Sequence, residues 1–361
     1  MAIIVLASFF AIEILAKREK YLYHQPCHKG KSFLPILHIG TPRSLVDDGY
    51  HNAFTDMCHF NGALYLTYRR CPDGHMLFST SRIVVMRSEN GGTTWREVCV
   101  FGIPPRDVRD PHLLVFNNRL FVYSGTWAIP PEGQMRTLND HLGFAVHSED
   151  GESWSDPVAL EGTYGHYIWR AATYGNRAYL CGRRRKGYVD SQEERTDRTQ
   201  IEGAMLESED GLVWRYRSLF TCEYGDETAF LFEEDGQCLA LARGADTQPA
   251  RICRSHPPYE HWKRSDLDRN VGGPLLAKWG DLYLVGGRKN IDPQKPRTTL
   301  YWLIGNQLQE IGQLPSGGDN SYPGFIALDR TRALLSYYSS HEGSKASLTP
   351  SAIYLSELTL S

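Results

Sequence analysis

Short apolar runs alternate with turn-forming residues along most of this chain of 361 residues. Six segments share one pattern, in which polar or small residues lead into an apolar run, a turn follows, and a second apolar run ends the segment. The six segments begin at Asn52, Val108, Ile168, Gly225, Val271 and Asn320. Apolar runs of this length, separated by turns that contain Gly, Asn or Asp, predict antiparallel hairpins.

The spacing of the six segments predicts how many strands each repeat holds. Equivalent positions are separated by 54, 60, 57, 46 and 49 residues, and they are Asp56, Asp110, Arg170, Glu227, Gly273 and Tyr322. A four-stranded antiparallel blade with its loops needs about 40 to 50 residues or somewhat more. The sequence therefore predicts an all-β fold, a six-bladed β-propeller of four-stranded antiparallel blades.

A second repeat supports the same architecture independently. Three turns read SENGGTTW, SEDGESW and SEDGLVW, and they span Ser88–Trp95, Ser148–Trp154 and Ser208–Trp214. In each turn the central Asp or Asn can bond its own backbone, the Gly can adopt a positive φ, and the Trp can pack beneath the hairpin. Each turn follows a short apolar or mixed strand, so one supersecondary unit is repeated.

The N-terminal part of the chain differs from the rest. We treat residues 1–32 as an N-terminal segment and residues 33–361 as a single propeller domain. Residues 2–16 are apolar except for Glu13, and a basic run follows at 17–20. This stretch is short for a membrane span and has no positive region before it. We expect a packed extension rather than a degenerate signal or anchor, and no stable membrane span; the compartment stays open, with the cytoplasm preferred.

The two ends of the propeller domain can pair with each other. SAIYLSELTL, which begins at Ser351, alternates like an edge strand, and FLPILHI begins at Phe33. Pairing between these segments would close the ring of blades.

Composition narrows the range of partners and cofactors. The net charge is -3 and no long basic run is present, so nucleic acid is not an expected partner. The eight cysteines are scattered without a CxxC pair, which argues against a disulfide framework or a zinc site. No cofactor and no metal are expected. We interpret the run RRRK at 183–186 as a solvated loop, with an anion-binding rim as the alternative.

The innermost strands of a propeller line its central channel, so the starts of the six repeats should meet at one mouth. Unusual charged and aromatic residues are concentrated at these starts and at the ends of the following strands. They are Arg69, Arg70, Arg109, Asp110, Asp226, Glu227, Arg243, Arg288 and Tyr322. Guanidinium groups bind carboxylates through paired hydrogen bonds, so the set predicts a pocket for an anionic ligand. The alternative is that these groups form salt bridges between neighbouring blades.

Several of these segments resemble the sialidase family. They are DETAFLFEEDGQCLALAR, GGRKN, NSYPGF and RDPHLLVFNNRLFVYSGTW, and the three turns resemble the family's Asp-box. The resemblance covers nearly the whole chain from about residue 45. It implies that Glu227 activates a nucleophilic Tyr322 and that Arg243 and Arg288 hold the substrate carboxylate. It also implies that Asp110 and Trp127 contact the substituents of the sugar ring.

The resemblance further implies a retaining exo-glycoside hydrolase that acts on a terminal acidic sugar. Sialidases use a tyrosine nucleophile where most retaining glycosidases use a carboxylate. A neutral phenol avoids repulsion by the substrate's own carboxylate, but its pKa near 10 requires a base. The expected acid/base is Asp73 in the loop YRRCPDGH, with Asp56 as the alternative.

Blade one departs from the family pattern. The family opens this blade with an Arg-Ile-Pro segment, whereas residues 51–56 here read HNAFTD, without an arginine. Arg69 or Arg70 from the neighbouring strand, and Arg109 or Arg170 from blades two and three, are the candidates to supply the missing charge. The substrate could therefore be another acidic sugar. Two alternatives stay open: a hydrolase or lyase of uronate or sulfated glycans, and a non-catalytic propeller that binds glycans or proteins.

Overall fold

The computed structural model describes residues 34–134, 138–187, 197–289, 295–342 and 350–361. The predicted N-terminal segment 1–32 lies outside the described residues. The chain divides into a unit that ends at Pro35 and a second unit, Ile36–Ser361, which contains the propeller. Among the described residues, no helix is long and apolar enough to cross a membrane.

The described residues form six antiparallel sheets, which confirms the predicted six-bladed propeller. Two short strands come first, β1 (Leu37–Ile39) and β2 (Arg43–Val46). Blade one contains β3 (His51–Phe60), β4 (Ala63–Cys71), β5 (Arg82–Ser88) and β6 (Arg96–Phe101). Blade two contains β7 (Asp107–Phe116), β8 (Arg119–Trp127), β9 (Leu142–Ser148) and β10 (Val158–Ala159). Blade three contains β11 (Tyr167–Tyr174), β12 (Arg177–Arg185), β13 (Ile201–Ser208) and β14 (Arg215–Thr221).

The second half of the ring repeats the arrangement. Blade four contains β15 (Gly225–Phe232), β16 (Cys238–Gly244), β17 (Arg251–Ser255) and β18 (Lys263–Asp266). Blade five contains β19 (Gly272–Trp279), β20 (Leu282–Lys289), β21 (Arg297–Ile304) and β22 (Gln307–Gln313). Blade six contains β23 (Asn320–Ala327), β24 (Arg332–Ser339) and β25 (Ala352–Leu360). Two short 3-10 helices, Leu138–Asp140 and Arg198–Gln200, lie in the loops.

The two ends of the chain complete blade six. The last strand, β25, pairs antiparallel with β1, so that Leu37 lies opposite Leu360, and it also pairs with β2. The predicted pairing of the two ends is therefore confirmed for Leu37–Ile39. Each inner strand also contacts the inner strand of the next blade, and β23 contacts β3, so the ring is closed.

The apolar runs are explained by burial of both faces of a blade. Successive side chains of a strand point to opposite faces. In β8, Leu120 and Val122 pack into the cluster shared with blade one, while Phe121 and Tyr123 pack into the cluster shared with blade three. A strand that is buried on both faces reads as a continuous apolar run rather than an alternating one.

The three Ser-to-Trp turns connect the third and fourth strands of blades one, two and three. The serine hydroxyl accepts a hydrogen bond from a glycine backbone N–H in every copy, at 2.9 Å (Ser88 and Gly92), 2.7 Å (Ser148 and Gly151) and 2.8 Å (Ser208 and Gly211). The side chains of Asn90, Asp150 and Asp210 accept further backbone N–H groups. These bonds satisfy the backbone of a tight turn, so the shared residues serve the outer edge of each blade.

Every inner strand carries a β-bulge at the same level. The bulged pairs are 54–55, 110–111, 169–170, 226–227, 273–274 and 322–323. The first residue has a positive φ in Phe54 (63°), Asp110 (49°), Gly273 (58°) and Tyr322 (51°). A bulge leaves two residues opposite one and re-aims a side chain. Five of the six positions aligned from the sequence are bulge residues, and Asp56 directly follows its bulge.

Candidate active site

Tyr322 lies on the bulge of β23, with a φ that is rare for a bulky residue. Thr55 donates a hydrogen bond to the Tyr322 carbonyl at 2.8 Å, and Arg170 donates to the Pro323 carbonyl at 2.7 Å. The ring packs over Gly273, where a Cβ would lie 2.6 Å from Cδ2 of the tyrosine. Blades one, three and five thus fix the tyrosine from three sides.

The Tyr322 hydroxyl donates a hydrogen bond to Glu227 Oε1 at 2.5 Å. The second oxygen, Oε2, accepts from Arg243 Nη1 at 2.8 Å and from the Gly273 N–H at 3.1 Å. The bulge of β15 turns Glu227 toward the channel, and β16 ends with Arg243 beside it. The Glu227 carboxylate therefore accepts a hydrogen bond from the phenol with one oxygen and hydrogen bonds from Arg243 and the Gly273 N–H with the other.

Electrostatics keep the phenol neutral in the free protein. Burial, and next the charge of Glu227, raise the pKa of Tyr322 well above its ordinary value, although Arg243 and Arg288 act in the opposite direction. Glu227 and Asp226 likewise raise the pKa of Arg243 against the effect of burial. A neutral tyrosine bonded to a carboxylate is the arrangement that general-base activation of a phenol requires.

Arg288 lies on the other side of the tyrosine. Its guanidinium carbon is 5.8 Å from the centre of the Tyr322 ring, and Nε donates to the Asn320 carbonyl at 2.9 Å. Nη2 is 3.3 Å from Asp319 Oδ1. Both Arg243 and Arg288 keep 18% of their side chains exposed. A cavity of about 530 Å³ has Arg288 and Asp319 in its lining.

Asp110 faces the same centre from blade two. Its Oδ2 accepts a hydrogen bond from the Tyr167 hydroxyl, and its Oδ1 has no hydrogen-bond partner in the described part of the chain. Burial, and next the charge of Glu227, raise the pKa of Asp110 to about 7. Near neutral pH this carboxyl can hold a proton, so it can donate as well as accept a hydrogen bond.

Arg183 is a site residue that the sequence interpretation missed. Residues 183–185 belong to β12, so the predicted solvated loop is wrong there. Arg183 Nη1 donates to Asp226 Oδ1 at 2.5 Å, and its guanidinium lies over the Tyr167 ring. Its position at the end of a second strand, like those of Arg243 and Arg288, was the signal that could have found it.

Arg170 and Asp56 connect blades across the channel. Arg170 Nη1 donates to Asp56 Oδ1 at 2.6 Å, and the Leu113 N–H donates to Oδ2 at 3.0 Å. Burial would raise the pKa of Asp56, but Arg170 and His112 hold it below its ordinary value. The carboxyl is therefore an ionised partner of Arg170.

Arg69 and Arg109 hold the loop that follows β4. The Arg69 side chain is 0% exposed, pairs with Asp107 at 2.8 Å, and donates to the Gly74 and Met76 carbonyls at 3.1 and 3.0 Å. Arg109 donates to the His75 carbonyl at 3.1 Å and also pairs with Asp107. The contacts of both arginines thus fix a loop backbone.

Three other predicted residues contact side chains other than Tyr322 and Glu227. Arg70 pairs with Glu97 on β6, the outermost strand of blade one. Trp127, at the end of β8, packs edge-on against His141 at 4.0 Å. Asp73 is exposed and accepts a hydrogen bond from Thr80. The structure thus brings Glu227, Arg243, Arg288, Tyr322 and Asp110 together, but not Arg70 or Asp73.

A cluster of His51, His75 and Asp319 adjoins the tyrosine on the side of blade one. Asp319 Oδ2 is 2.9 Å from His51 Nε2 and 2.7 Å from His75 Nδ1, and Oδ1 accepts from the Tyr338 hydroxyl at 2.8 Å. Burial would raise the pKa of Asp319, but the histidine hydrogen bonds hold it well below its ordinary value. This cluster was not predicted from the sequence because its members come from β3, a loop and the start of blade six.

The same three side chains are spaced closely enough to hold a metal ion, with ligand atoms within 4.8 Å of one another. Arg69 Nη1 lies 3.3 Å from His51 Nδ1, and arginine can only donate. Burial, above all, lowers the pKa of His51, so the neutral ring carries its proton on Nε2, the atom that faces Asp319. A protonated Nε2 has no lone pair for a metal, so the donor set does not fit a cation.

Comparisons with known proteins agree with the fold. No protein-family model matches the sequence, and no curated protein matches it significantly. A protein of unknown function from Dyadobacter fermentans has a similar structure, with a TM-score of 0.75, 20% identity, and coverage of 91% of this chain and 100% of that one.

Two sialidase structures are also similar. The endosialidase of phage phi92 gives a TM-score of 0.62 at 11% identity, with coverage of 89% of this chain and 69% of that one. The Trypanosoma rangeli sialidase, in complex with the inhibitor DANA, gives a TM-score of 0.62 at 14% identity. The alignment covers 85% of this chain and 55% of the trypanosomal one. At these identities the similarity establishes a sialidase-like propeller fold.

Proposed function

We propose that this chain is a sialidase-like exo-glycoside hydrolase that acts on a terminal acidic sugar with retention of configuration. One observation carries the proposal: a buried tyrosine donates a hydrogen bond of 2.5 Å to a carboxylate that also pairs with Arg243, and Arg288 lies against the tyrosine ring. A tyrosine that only filled space would not need a buried carboxylate and a strained backbone. Backbone strain of this kind clusters at functional sites.

In the proposed reaction the Tyr322 oxygen attacks the anomeric carbon while its proton moves to Glu227. The glycosidic bond breaks, and the leaving oxygen takes a proton from an acid. Water then attacks the anomeric carbon of the glycosyl–tyrosine and gives one proton to the conjugate base of that acid, and the phenolate recovers its proton from Glu227. The neutral phenol approaches a carbon that bears a carboxylate without charge repulsion, which a carboxylate nucleophile would experience.

Arg243 and Arg288 are the proposed partners of the substrate's acidic group. Each guanidinium is partly exposed, and Arg243 Nε has no hydrogen-bond partner in the described residues. Asp110 Oδ1 is also unsatisfied, and a sugar hydroxyl would complete it. A polar ligand in this place would give both buried atoms the hydrogen-bond partner that the described part of the chain does not supply.

Phe54 is a reason to consider several acidic sugars as candidate substrates. It occupies the bulge position in blade one and packs edge-on against Tyr322, with ring centres 4.8 Å apart. An aromatic ring cannot contribute a third guanidinium to a carboxylate. Sialic acid, a uronate and a sulfated sugar therefore all belong in the test panel.

The test is turnover of 4-methylumbelliferyl glycosides of these sugars by wild type, Tyr322→Phe and Glu227→Gln. Loss of general-base assistance costs about 10²- to 10⁴-fold, so both variants should lose at least that much activity. Tyr216→Phe is the matched control because Tyr216 is 48% exposed on the outer strand of blade three. Full activity in Tyr322→Phe would refute the tyrosine mechanism. An unsaturated product would indicate a lyase, and glycan binding without turnover would indicate a non-catalytic module.

A further inference from the structure

The loop after β4 places His75 against Phe54, the aromatic ring that also packs against Tyr322. The His75 ring centre lies 5.9 Å from that of Phe54, and the Phe54 ring centre lies 4.8 Å from that of Tyr322. His75 therefore stands one ring away from the tyrosine. Its side chain is 30% exposed, whereas that of Tyr322 is buried. The histidine is thus open to an incoming molecule.

The backbone that carries His75 is unusually well fixed for a loop. The fully buried Arg69 donates to the carbonyls on both sides, those of Gly74 and Met76. Arg109 donates to the carbonyl of His75 itself at 3.1 Å. Both arginines form an ion pair with Asp107, and together they donate hydrogen bonds to three consecutive backbone carbonyls. A loop with only a connecting role does not need this support.

Asp319 fixes the orientation of the ring. His75 Nδ1 lies 2.7 Å from Asp319 Oδ2, so Nδ1 is the donor and Nε2 remains for exchange with another molecule. Arg288, Tyr338 and His51 hold the carboxylate in turn, at 3.3, 2.8 and 2.9 Å. An ionised aspartate that orients a histidine through Nδ1 is a common way to prepare Nε2 for proton transfer.

We propose that His75, oriented by Asp319, is the acid/base of this site. The inference rests on the proposed glycosidase function and deepens it. Asp73, two residues earlier in the same loop, is exposed and bonded to Thr80, whereas His75 packs against Phe54, the ring that contacts Tyr322.

In the proposed mechanism His75 gives up one proton in the first step and regains one in the second. In the first step the His75 imidazolium gives its Nε2 proton to the glycosidic oxygen as that bond breaks and the Tyr322 oxygen bonds to the anomeric carbon. In the second step neutral His75 takes a proton from the attacking water through Nε2, and the imidazolium is restored. Asp319 stays ionised throughout and acts as a positioning residue.

Leaving-group dependence tests this assignment. An aryl glycoside with an acidic phenol needs little protonation, whereas an alkyl glycoside needs it fully. For His75→Ala we expect kcat/KM to fall about 10²- to 10⁴-fold on the alkyl glycoside. On the activated aryl glycoside the fall should stay within about tenfold, and a glycosyl adduct on Tyr322 should accumulate because water lacks its base. Asp319→Asn should shift both readouts in the same direction by less.

The controls separate this inference from the proposed function. His59→Ala removes an exposed histidine of blade one and should match wild type. An equal loss on both substrates, or no adduct in His75→Ala, would overturn the acid/base role. The same signature in Asp73→Asn or Asp110→Asn instead would also overturn it. No turnover by wild type on any acidic glycoside would refute the proposed function itself. If His75→Ala is unstable, His75→Gln provides the same comparison.

Discussion

Gly273→Ala should damage the site by pushing against Tyr322. Gly273 has a φ of +58°, and an added Cβ would lie 2.6 Å from Tyr322 Cδ2. Contacts under about 3 Å force a shift, and the tyrosine is held by Glu227 and by Thr55. A left-handed alanine costs about 1–2 kcal/mol by itself. The clash adds to this cost and moves the hydroxyl, and a misplacement of about 1 Å can cost about 10²-fold in rate.

Gly280→Ala is the matched control for this prediction. Gly280 lies in the turn that follows β19, has a φ of +61°, and has no atom within 4 Å of its added Cβ. Both variants should lose about 1–2 kcal/mol of unfolding free energy from the left-handed conformation, measured by urea denaturation. Only Gly273→Ala should lose more than that, together with about 10²-fold in kcat/KM. Equal stability and equal activity of the two variants would refute the account of how Tyr322 is held.

Three further predictions address the charged residues. Burial and Glu227 raise the pKa of Asp110 to about 7, so this group binds an extra proton in the folded state and its contribution to the unfolding free energy should fall as pH rises from about 4 to about 7. The fall should be at most about 1.4 kcal/mol per pH unit, and the gap between wild type and Asp110→Asn should shift in the variant's favour across this window; parallel pH profiles would contradict it. Arg69→Met should destabilise by about 3–5 kcal/mol because it breaks a fully buried ion pair with Asp107 and removes the donor of the Gly74 and Met76 carbonyls, whereas Arg70→Met, in a partly exposed pair, should cost at most about 1 kcal/mol; equal denaturation midpoints would contradict this. Arg288→Met should lower kcat/KM about 10- to 150-fold on an acidic glycoside and less on its neutral methyl ester, and equal losses on both would exclude a role in binding the acidic group.

The repeat pattern was sufficient to predict the fold because each blade repeats the same local solution. Apolar runs that are buried on both faces, such as Leu120–Tyr123 in β8, recur at a regular spacing. The pairing of Leu37 with Leu360 followed from closure of a ring. The bulges were not predicted, since a bulge changes hydrogen-bond register and leaves the apolar pattern intact.

The candidate site was predictable where residues lie on strands and not where they lie in loops. Four site residues occupy equivalent strand positions in the repeat, which places them at the same end of the central channel: Glu227, Arg243, Arg288 and Tyr322. His75 packs against Phe54 in a loop that Arg69 and Arg109 hold by its backbone carbonyls, and contacts to carbonyls do not depend on the side chains of the loop and so leave no signal in its sequence. Arg69 itself looked like a ligand for an anion because its burial against Asp107 could not be read from its position at a strand end.

The most direct test of the central claim is to identify the residue that becomes glycosylated. The protein would be mixed with an activated fluoride of the acidic sugar that it turns over, quenched in acid, digested and examined by mass spectrometry. We expect a glycosyl adduct on Tyr322 in the wild-type protein and in Tyr216→Phe, and no adduct in Tyr322→Phe. An adduct on another residue, or turnover by Tyr322→Phe at the wild-type rate, would contradict it.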